Sequence, residues 1–129
     1  MTITSLPSET FDGTGCGKVS ITSGNYSGMT CTKYPLPKSG ASVFLEMNYN
    51  CNTEFAVGIV GYNAGGTIET QVDAIHLNPT TGWNKIYINL SGEVTNSITS
   101  VKFAIYFSML KNSSLTSSYF YVDNMKLIY

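Results

Sequence analysis

The carboxylates are the first residues of this chain to consider for chemistry. A glycosidase needs two of them a few ångströms apart across a cleft. The chain has eight acids: Asp12, Asp73, Asp123, Glu9, Glu46, Glu54, Glu69 and Glu93. Glu69 and Asp73 share a strand face, but four residues of strand separate them by ~13 Å at the usual rise. No other pair is identifiable from spacing, so acids on solvated strand faces are the favoured interpretation.

His76 is the single histidine and the only side chain expected to act as a general base near neutral pH. It lies in the apolar segment Ala74-Ile-His-Leu77, which favours a hydrogen-bonded histidine in the core or at a sheet edge. No Gly-x-Ser-x-Gly motif occurs, and no catalytic triad can be assembled around His76 from the sequence. The sequence therefore predicts a protein that is not an enzyme.

Three cysteines, Cys16, Cys31 and Cys51, leave at least one thiol unpaired. They form no Cys-x-x-Cys motif, and with one histidine a zinc site would need carboxylates as well. Buried thiols and a single disulfide are both left open. If a pair forms, Cys31 with Cys51 is the prediction, because both are expected to face inward. A hairpin expected around residues 23–28 would place Cys31 opposite Ser20 and away from Cys16.

The aromatic residues are a better indication of function. They make up 12% of the chain, with nine Tyr, six Phe and one Trp. Sugar rings pack their C–H faces on aromatic rings, while amides and carboxylates bind the hydroxyls. The predicted ligand-binding residues are Tyr62, Asn63, Glu46, Asn48, Tyr87 and Tyr106. Ordinary cross-strand tyrosine packing is the alternative for each tyrosine. Trp83 opens a strand after Gly82 and is expected in the core.

Short strands must position these side chains. Alternating apolar and polar residues, rich in β-branched types, recur between Gly, Asn and Pro turns, and helical periodicity is nearly absent. The predicted strands are 1–6, 18–23, 29–34, 41–50, 54–62, 67–77, 83–90, 101–109 and 119–129. The last is expected to close the core, with a bulge at Asp123-Asn124 and these residues inward: Phe120, Val122, Met125 and Leu127. The sequence thus predicts one all-β domain over residues 1–129, a two-sheet antiparallel β-sandwich (jelly roll) of eight to ten strands with essentially no helix.

Composition excludes several classes of function. Charged residues are only 12%, there is no Arg, and the net charge is −1. Nucleic acid is therefore not an expected partner, because its binding rests on Lys and Arg contacts with phosphate. No apolar run approaches the ~20 residues of a membrane helix. The first four residues are too short and too polar for a signal peptide, so an exported protein would carry its signal outside this sequence.

Three segments in order resemble the ending of galactose-binding-like jelly rolls of the carbohydrate-binding-module type: Trp83-Asn-Lys-Ile-Tyr-Ile-Asn-Leu90, Val101-Lys-Phe-Ala-Ile-Tyr106 and Phe120-Tyr-Val-Asp-Asn-Met-Lys-Leu127. In that family a Trp opens a strand ending in Leu, and the last strand reads aromatic-x-hydrophobic-Asp-Asn. Residues 43–51 and 55–58 look like the middle strands of such domains in bacterial surface lipoproteins. The resemblance spans residues 41–129, and the N-terminal third matches only through Thr10-Phe-Asp-Gly13.

The resemblance implies a non-catalytic glycan-recognition module of an exported or cell-surface protein. Its expected partner is a glycan or cell-surface polymer, with other domains of a larger exported protein as neighbours. The alternative is a structural or adhesive domain of a surface lipoprotein with no small ligand, and a glycoside-acting enzyme ranks last. The family also implies a structural Ca²⁺ that joins the N-terminal segment to the last strand. Asp12 and Asp123 match that pattern, and Glu9 could add a third carboxylate. The other interpretation of Asp123-Asn124 is a β-bulge whose side chains hydrogen-bond to their own backbone.

Overall fold

In the computed structural model, which describes residues 1–129, the alternating segments form nine strands and one helix. Their order along the chain is β1 (Thr2–Thr4), β2 (Cys16–Ile21), β3 (Asn25–Met29), β4 (Phe44–Cys51), β5 (Phe55–Tyr62), β6 (Ile68–Leu77), β7 (Asn84–Asn89), α1 (Ser91–Asn96), β8 (Lys102–Leu110) and β9 (Ser118–Ile128). Sheet A has the strand order β1-β2-β9-β4-β7, and sheet B has the order β3-β8-β5-β6. Every pairing is antiparallel. The predicted two-sheet antiparallel sandwich is confirmed.

The core lies between the two sheets and is filled by alternate residues of each strand. In β5 these are Phe55, Val57 and Ile59, which are all buried. Because side chains alternate across a strand, the intervening residues of β5 point to the outer face of sheet B. Phe55 stacks on Phe120 of sheet A with 4.4 Å between ring centroids, which joins the two layers at the centre. The alternation predicted these inward positions correctly.

The last strand, β9, lies in the middle of sheet A between β2 and β4. Its pairing with β4 shifts between Glu46 and Asn48, so that two residues of β9 oppose Met47 alone. This is the predicted bulge, and Asn124 adopts the left-handed conformation there with φ of 50°. Leu127 packs against the core as expected. Met125 does not, and remains 38% exposed, because Met47 fills the inward position opposite the bulge.

The connection from β2 to β3 differs from the predicted hairpin. β2 pairs with β9 in sheet A, whereas β3 pairs with β8 in sheet B, so residues 22–24 cross from one layer to the other. The expected pairing of Ser20 with Cys31 is therefore wrong. Cys31 lies exposed after β3, Cys16 and Cys51 are buried, and all three thiols are free. The predicted Cys31–Cys51 pair is wrong because Cys31 does not face the core.

The helix α1 follows β7 at the point where the sequence indicated only the end of a strand. It has six residues, and its Val94 is fully buried together with the preceding Leu90. A single apolar residue in six gives no helical period to detect, which is why the pattern did not reveal it. No helix of the chain has the length and apolar character to cross a membrane.

Candidate functional site

A trough runs along the outer face of sheet B over its central strand β5. Ala56 points outward there and lines the trough, and its small side chain leaves room between the neighbouring strands. Ala56 is paired with Ser108 and His76, and Gly58 is paired with Tyr106 and Asp73. The trough encloses about 490 Å³. It is lined mainly by polar side chains of β3, β6, β8 and two adjoining loops: Asn25, Ser27, Glu54, Asp73, His76, Tyr106, Ser108, Lys111 and Asn112.

A bulge in β6 brings two functional groups to the same face. The pairing with β5 passes from Val57–Ile75 to Gly58–Asp73, so one residue of β6 is skipped. Residues three apart in a regular strand point to opposite faces, but here Asp73 and His76 both line the trough. The bulge also brings the Val72 carbonyl oxygen to within 1.9 Å of where a Cβ on Gly58 would lie. Only glycine fits at this position, and a glycine inside a strand often marks such a bulge or close approach.

His76 lies between two carboxylates in the trough. Its Nδ1 is 3.1 Å from Glu54 Oε1, and its Nε2 is 3.4 Å from Asp73 Oδ2. The side chains are 56%, 56% and 41% exposed for His76, Glu54 and Asp73, so this histidine is not in the core. It is hydrogen-bonded on β6, the edge strand of sheet B, which is the other position expected for it. A neutral imidazole has one N–H and donates to one carboxylate only, whereas an imidazolium donates to both. The trio therefore offers carboxylate acceptors to ligand hydroxyls, and the imidazole holds the two carboxylates in place.

The rest of the trough consists of hydroxyl and amide groups. Tyr106 lies under it, 6% exposed, with its hydroxyl accepting a hydrogen bond from Ser27 Oγ at 3.4 Å. Its outward orientation was predicted, although its burial was not. The ammonium group of Lys111 donates to the carbonyl oxygens of Asn112 and Leu115 in its own loop.

Tyr62 and Asn63 lie at the other end of sheet B, outside the trough. The Tyr62 hydroxyl contacts Met29 Sδ at 2.7 Å, and Lys33 Nζ lies 3.8 Å from the centre of its ring. Those two side chains cover Tyr62, which is buried. Asn63 supports its own turn, because its Oδ1 accepts from the Thr67 N–H at 3.0 Å. Its Nδ2 also donates to Glu69 Oε1 at 3.0 Å. Neither residue presents a free group to the trough.

Glu46, Asn48 and Tyr87 lie on the outer face of sheet A, on the opposite side of the sandwich. Glu46 is paired across the strands with Tyr87, and its Oε1 lies 2.6 Å from Lys85 Nζ. The hydrogen bond from Lys85 holds the pKa of Glu46 below its usual value. Asn48 is buried and Tyr87 is well exposed. The six predicted ligand-binding residues therefore do not form one site.

Trp83 also lies on the outer face of sheet A, half-buried, and not in the core as expected. Its ring is 5.6 Å from that of Phe11 and 6.3 Å from that of Tyr121, with interplanar angles of 58° and 45°. Rings at such angles pack against one another and do not form a flat surface for a ligand. This cluster attaches the loop before β2 to sheet A.

The three predicted calcium ligands lie near this cluster. Glu9 accepts hydrogen bonds from Thr4 Oγ1 at 2.7 Å, Lys18 Nζ at 2.6 Å and the Tyr121 hydroxyl at 3.1 Å. The bond from Lys18 makes the largest contribution to lowering the pKa of Glu9. Burial, followed by the contact with Glu9, raises the pKa of Tyr121 to about 12. Glu9 is thus engaged by protein donors, including a cation that calcium would have to displace.

Asp12 and Asp123 join the N-terminal segment to the last strand. The Asp12 N–H donates to Asp123 Oδ2 at 3.3 Å, and Asp123 Oδ1 accepts from the Asn124 N–H at 2.8 Å. The second bond is the backbone cap that was the alternative interpretation of this pair. No three His, Cys, Asp or Glu side chains of the chain converge as metal ligands. Calcium at Asp12 and Asp123 therefore stays a prediction.

The sequence did not single out the trough residues as a site. The alternation along the strands did not identify Glu54, Asp73 or His76 as residues of one site, because nothing in the sequence shows that β5 and β6 bring them together. One usable signal was present: small residues at Ala56 and Gly58, on the outer face of a strand that is otherwise wholly apolar. Small outward residues on a central strand indicate a depression in the sheet surface, and the polar residues on either side are then site candidates.

The chain matches no protein-family model and no curated protein. Among solved structures it is similar to TmCBM61 in complex with β-1,4-galactotriose, with a TM-score of 0.58, 11% identity, and coverage of 98% of this chain and 79% of that one. It is also similar to a family 16 carbohydrate-binding module, with a TM-score of 0.56, 14% identity, and coverage of 98% and 85%. The structure of infectious bursal disease virus, Gx strain, matches with a TM-score of 0.55 and 11% identity over 87% of this chain and 28% of that one. These likenesses establish the β-sandwich fold, which is shared by proteins of unrelated function.

Proposed function

We propose that this chain is a non-catalytic carbohydrate-binding module that holds a glycan in the trough on sheet B. The observation that carries the proposal is the convergence of Glu54, Asp73 and His76 with hydroxyl and amide groups over the small residue Ala56 of β5. Binding sites combine a concave surface with a few convergent polar groups, and volumes of ~300–1,000 Å³ are usual. The likeness to two carbohydrate-binding modules, one of them solved with a galactotriose, supports the same proposal.

Each group in the trough has a role that suits a sugar. The carboxylates of Glu54 and Asp73 accept hydrogen bonds from hydroxyl groups, and bonds to an ionised acceptor are stronger than neutral ones. Ser27, Ser108 and the amide of Asn25 donate or accept as a hydroxyl requires. The exposed Leu110 at the rim gives the C–H face of a ring an apolar surface. Binding is therefore expected to depend mainly on hydrogen bonds, with less ring stacking than the sequence suggested.

Glycoside hydrolysis is the second candidate, and one observation favours it. Because both carboxylates contact the same imidazole, Glu54 and Asp73 lie within roughly 9 Å of each other, a separation that occurs in inverting glycosidases. Two features argue for binding instead. The ring of His76 lies between the carboxylates, in the space that a scissile bond and a water molecule would need. Both carboxylates are also well exposed, whereas the catalytic acid of a glycosidase has its pKa raised by burial.

The proposed setting is an exported or cell-surface protein in which this domain acts beside other domains. A surface rich in Ser, Thr and Asn with only 12% charged residues is consistent with that setting. A structural or adhesive domain without a small ligand remains the alternative. It would be favoured by a trough that binds no sugar.

A glycan array followed by titration calorimetry tests the proposal. The purified chain is expected to bind at least one oligosaccharide class, with β-1,4-linked galactose oligomers included because of the TmCBM61 likeness. Incubation with each ligand and chromatography of the products tests hydrolysis at the same time. No binding to any glycan would overturn the proposal, and release of shorter sugars would establish the enzyme instead.

A further inference from the structure

The trough carries an unbalanced set of charges. Its ionisable side chains, tyrosines aside, are Glu54, Asp73, His76 and Lys111. The Lys111 ammonium is bound by two carbonyl oxygens of its own loop. His76 contacts both carboxylates, and even as an imidazolium it offsets only one of the two negative charges. With the two carboxylates ionised, Lys111 charged and the imidazole of His76 neutral, two negative charges and one positive charge leave the trough with a net charge of −1.

From this charge balance we infer that the trough selects neutral or amino-bearing glycans and rejects glycans that contain uronic acids. The inference rests on the proposed function and names the ligand class of the same site. A sugar hydroxyl donates a hydrogen bond to Glu54 or Asp73, and a sugar ammonium adds attraction to the same bond. A uronate has no proton to donate there and adds a charge of the same sign beside Glu54 and Asp73, which costs binding energy, while the Lys111 ammonium is directed at carbonyl oxygens of its own loop.

The position of Glu54 strengthens this argument. Glu54 lies in the loop between β4 and β5, and its only hydrogen-bond partner is His76. Asp73 likewise makes its one polar side-chain contact with His76. Neither carboxylate is held by a lysine, in contrast to Glu9 and Glu46, whose pKa values are lowered by Lys18 and Lys85. The two acids of the trough therefore act on a ligand with negative charge that no lysine salt bridge offsets.

The test uses glycans that differ only in charge. Tetramers of β-1,4-linked glucose, glucosamine and glucuronic acid are titrated into the wild-type chain near neutral pH. The glucuronic acid tetramer is expected to bind about tenfold or more weakly than the glucose tetramer, and the glucosamine tetramer at least as tightly as glucose. The differences should shrink between about 10 mM and about 1 M salt, because the screening length falls from ~30 Å to ~3 Å.

Two double variants locate the source of the selectivity. Glu54→Gln/Asp73→Asn keeps the shape of the trough and removes its carboxylates, so the preference against the glucuronic acid tetramer should fall to within about threefold. Glu69→Gln/Glu93→Gln removes the same net charge from positions outside the trough and should keep the preference of the wild type. A preference that persists in the first variant, or disappears in both, would overturn the inference.

The two proposals fail in different ways. Equal binding of the neutral and acidic tetramers would overturn the charge selectivity and leave the carbohydrate-binding function in place. If none of the three tetramers binds, the glycan array tests the charge selectivity. Neutral or amino glycans as the strongest ligands on the array would support it. Uronic acid glycans as the strongest ligands would overturn it. No binding to any glycan overturns the function itself, and the selectivity with it.

Discussion

Asp73 and His76 are three residues apart in β6, yet their side chains meet on one face of sheet B, with 3.4 Å between Asp73 Oδ2 and His76 Nε2. The bulge opposite Gly58 makes this contact, because it skips one residue of the alternation. Bulges are frequent where a strand must redirect a side chain towards a binding site. The geometry of the trough therefore depends on a backbone irregularity as much as on the polar residues themselves.

Gly58→Ala is expected to destabilise the chain and disturb the trough. The new Cβ would lie 1.9 Å from the Val72 carbonyl oxygen, so β6 must move away from β5. Such crowding typically costs about 1–3 kcal/mol. Urea unfolding measures the loss, and glycan titration measures the effect on binding. Gly92→Ala is the matched control: nothing lies within 4 Å of its added Cβ, and alanine should be neutral or stabilising in α1. Equal stability of the two variants would contradict the close approach.

His76→Ala is expected to weaken glycan binding with little effect on folding. The contacts of His76 with Glu54 and Asp73 are exposed, and exposed ion pairs contribute about 0–1 kcal/mol to stability. Without the imidazole, Glu54 and Asp73 are no longer held in place, and a ligand hydrogen bond to a carboxylate contributes about 1.5–3 kcal/mol, so affinity should fall by about tenfold. Calorimetry of His76→Ala is compared with that of Tyr87→Ala, which removes an exposed aromatic from sheet A. Loss of binding in Tyr87→Ala alone would move the site to the other face.

The fold was largely predictable because its signal is local. Alternation over β4 identifies the strand and its buried face within about eight residues, and the break at Asp123-Asn124 revealed the bulge in β9. The β2–β3 connection was not predictable in the same way. A turn rich in Gly and Ser suits a hairpin and a crossover between sheets equally well, and only the pairing partners of β3 distinguish the two.

The site was less predictable than the fold because it depends on which strands are neighbours. The outward direction of Tyr106 and Tyr87 follows from alternation, but nothing local shows that one lies on sheet B and the other on sheet A. His76 sits among apolar residues in sequence, yet its partners are Glu54, from the preceding loop, and Asp73, which the bulge brings to its side. The long-range pairing of the strands and a one-residue shift in register therefore determine which residues form the site.

Thiol reactivity should distinguish the three cysteines. Burial raises the pKa of Cys51 to about 11 and also raises the pKa of Cys16, so both are mostly thiols near neutral pH and shielded from reagents. Cys31 is exposed. We expect one fast-reacting thiol in the native chain and three in denaturant, measured with a chromogenic disulfide reagent. Cys31→Ser should abolish the fast reaction. Only one reactive thiol in denaturant would indicate a disulfide and contradict the free thiols of this structure.

The stability of the chain should fall in acid through Glu9. Hydrogen bonds from Lys18 and Thr4 hold its pKa below the usual 4.5 in the folded chain. The unfolded chain then binds more protons in this range, so stability is fully present above about pH 4.5 and decreases as the pH falls through the folded pKa. Melting curves of wild type and Glu9→Gln should differ most near neutral pH and converge in acid. A constant difference between them at every pH would contradict a role for the ionised carboxylate.

Asp123→Ala should destabilise the chain whether or not calcium binds. The carboxylate accepts from the Asp12 and Asn124 N–H groups, and because both bonds are exposed, the loss of each costs about 0.5–1.5 kcal/mol. If calcium also binds there, a chelator should lower the melting temperature of the wild type and not of Asp123→Ala, because a ligand of the native state alone stabilises it. Asp123→Asn is the control, since its amide oxygen can still accept one of the two bonds while the charge is lost. A wild-type melting temperature that does not change with chelator would rule out the calcium prediction. An Asp123→Ala variant as stable as the wild type in chelator would show that the link from Asp12 to β9 does not hold the N-terminal segment.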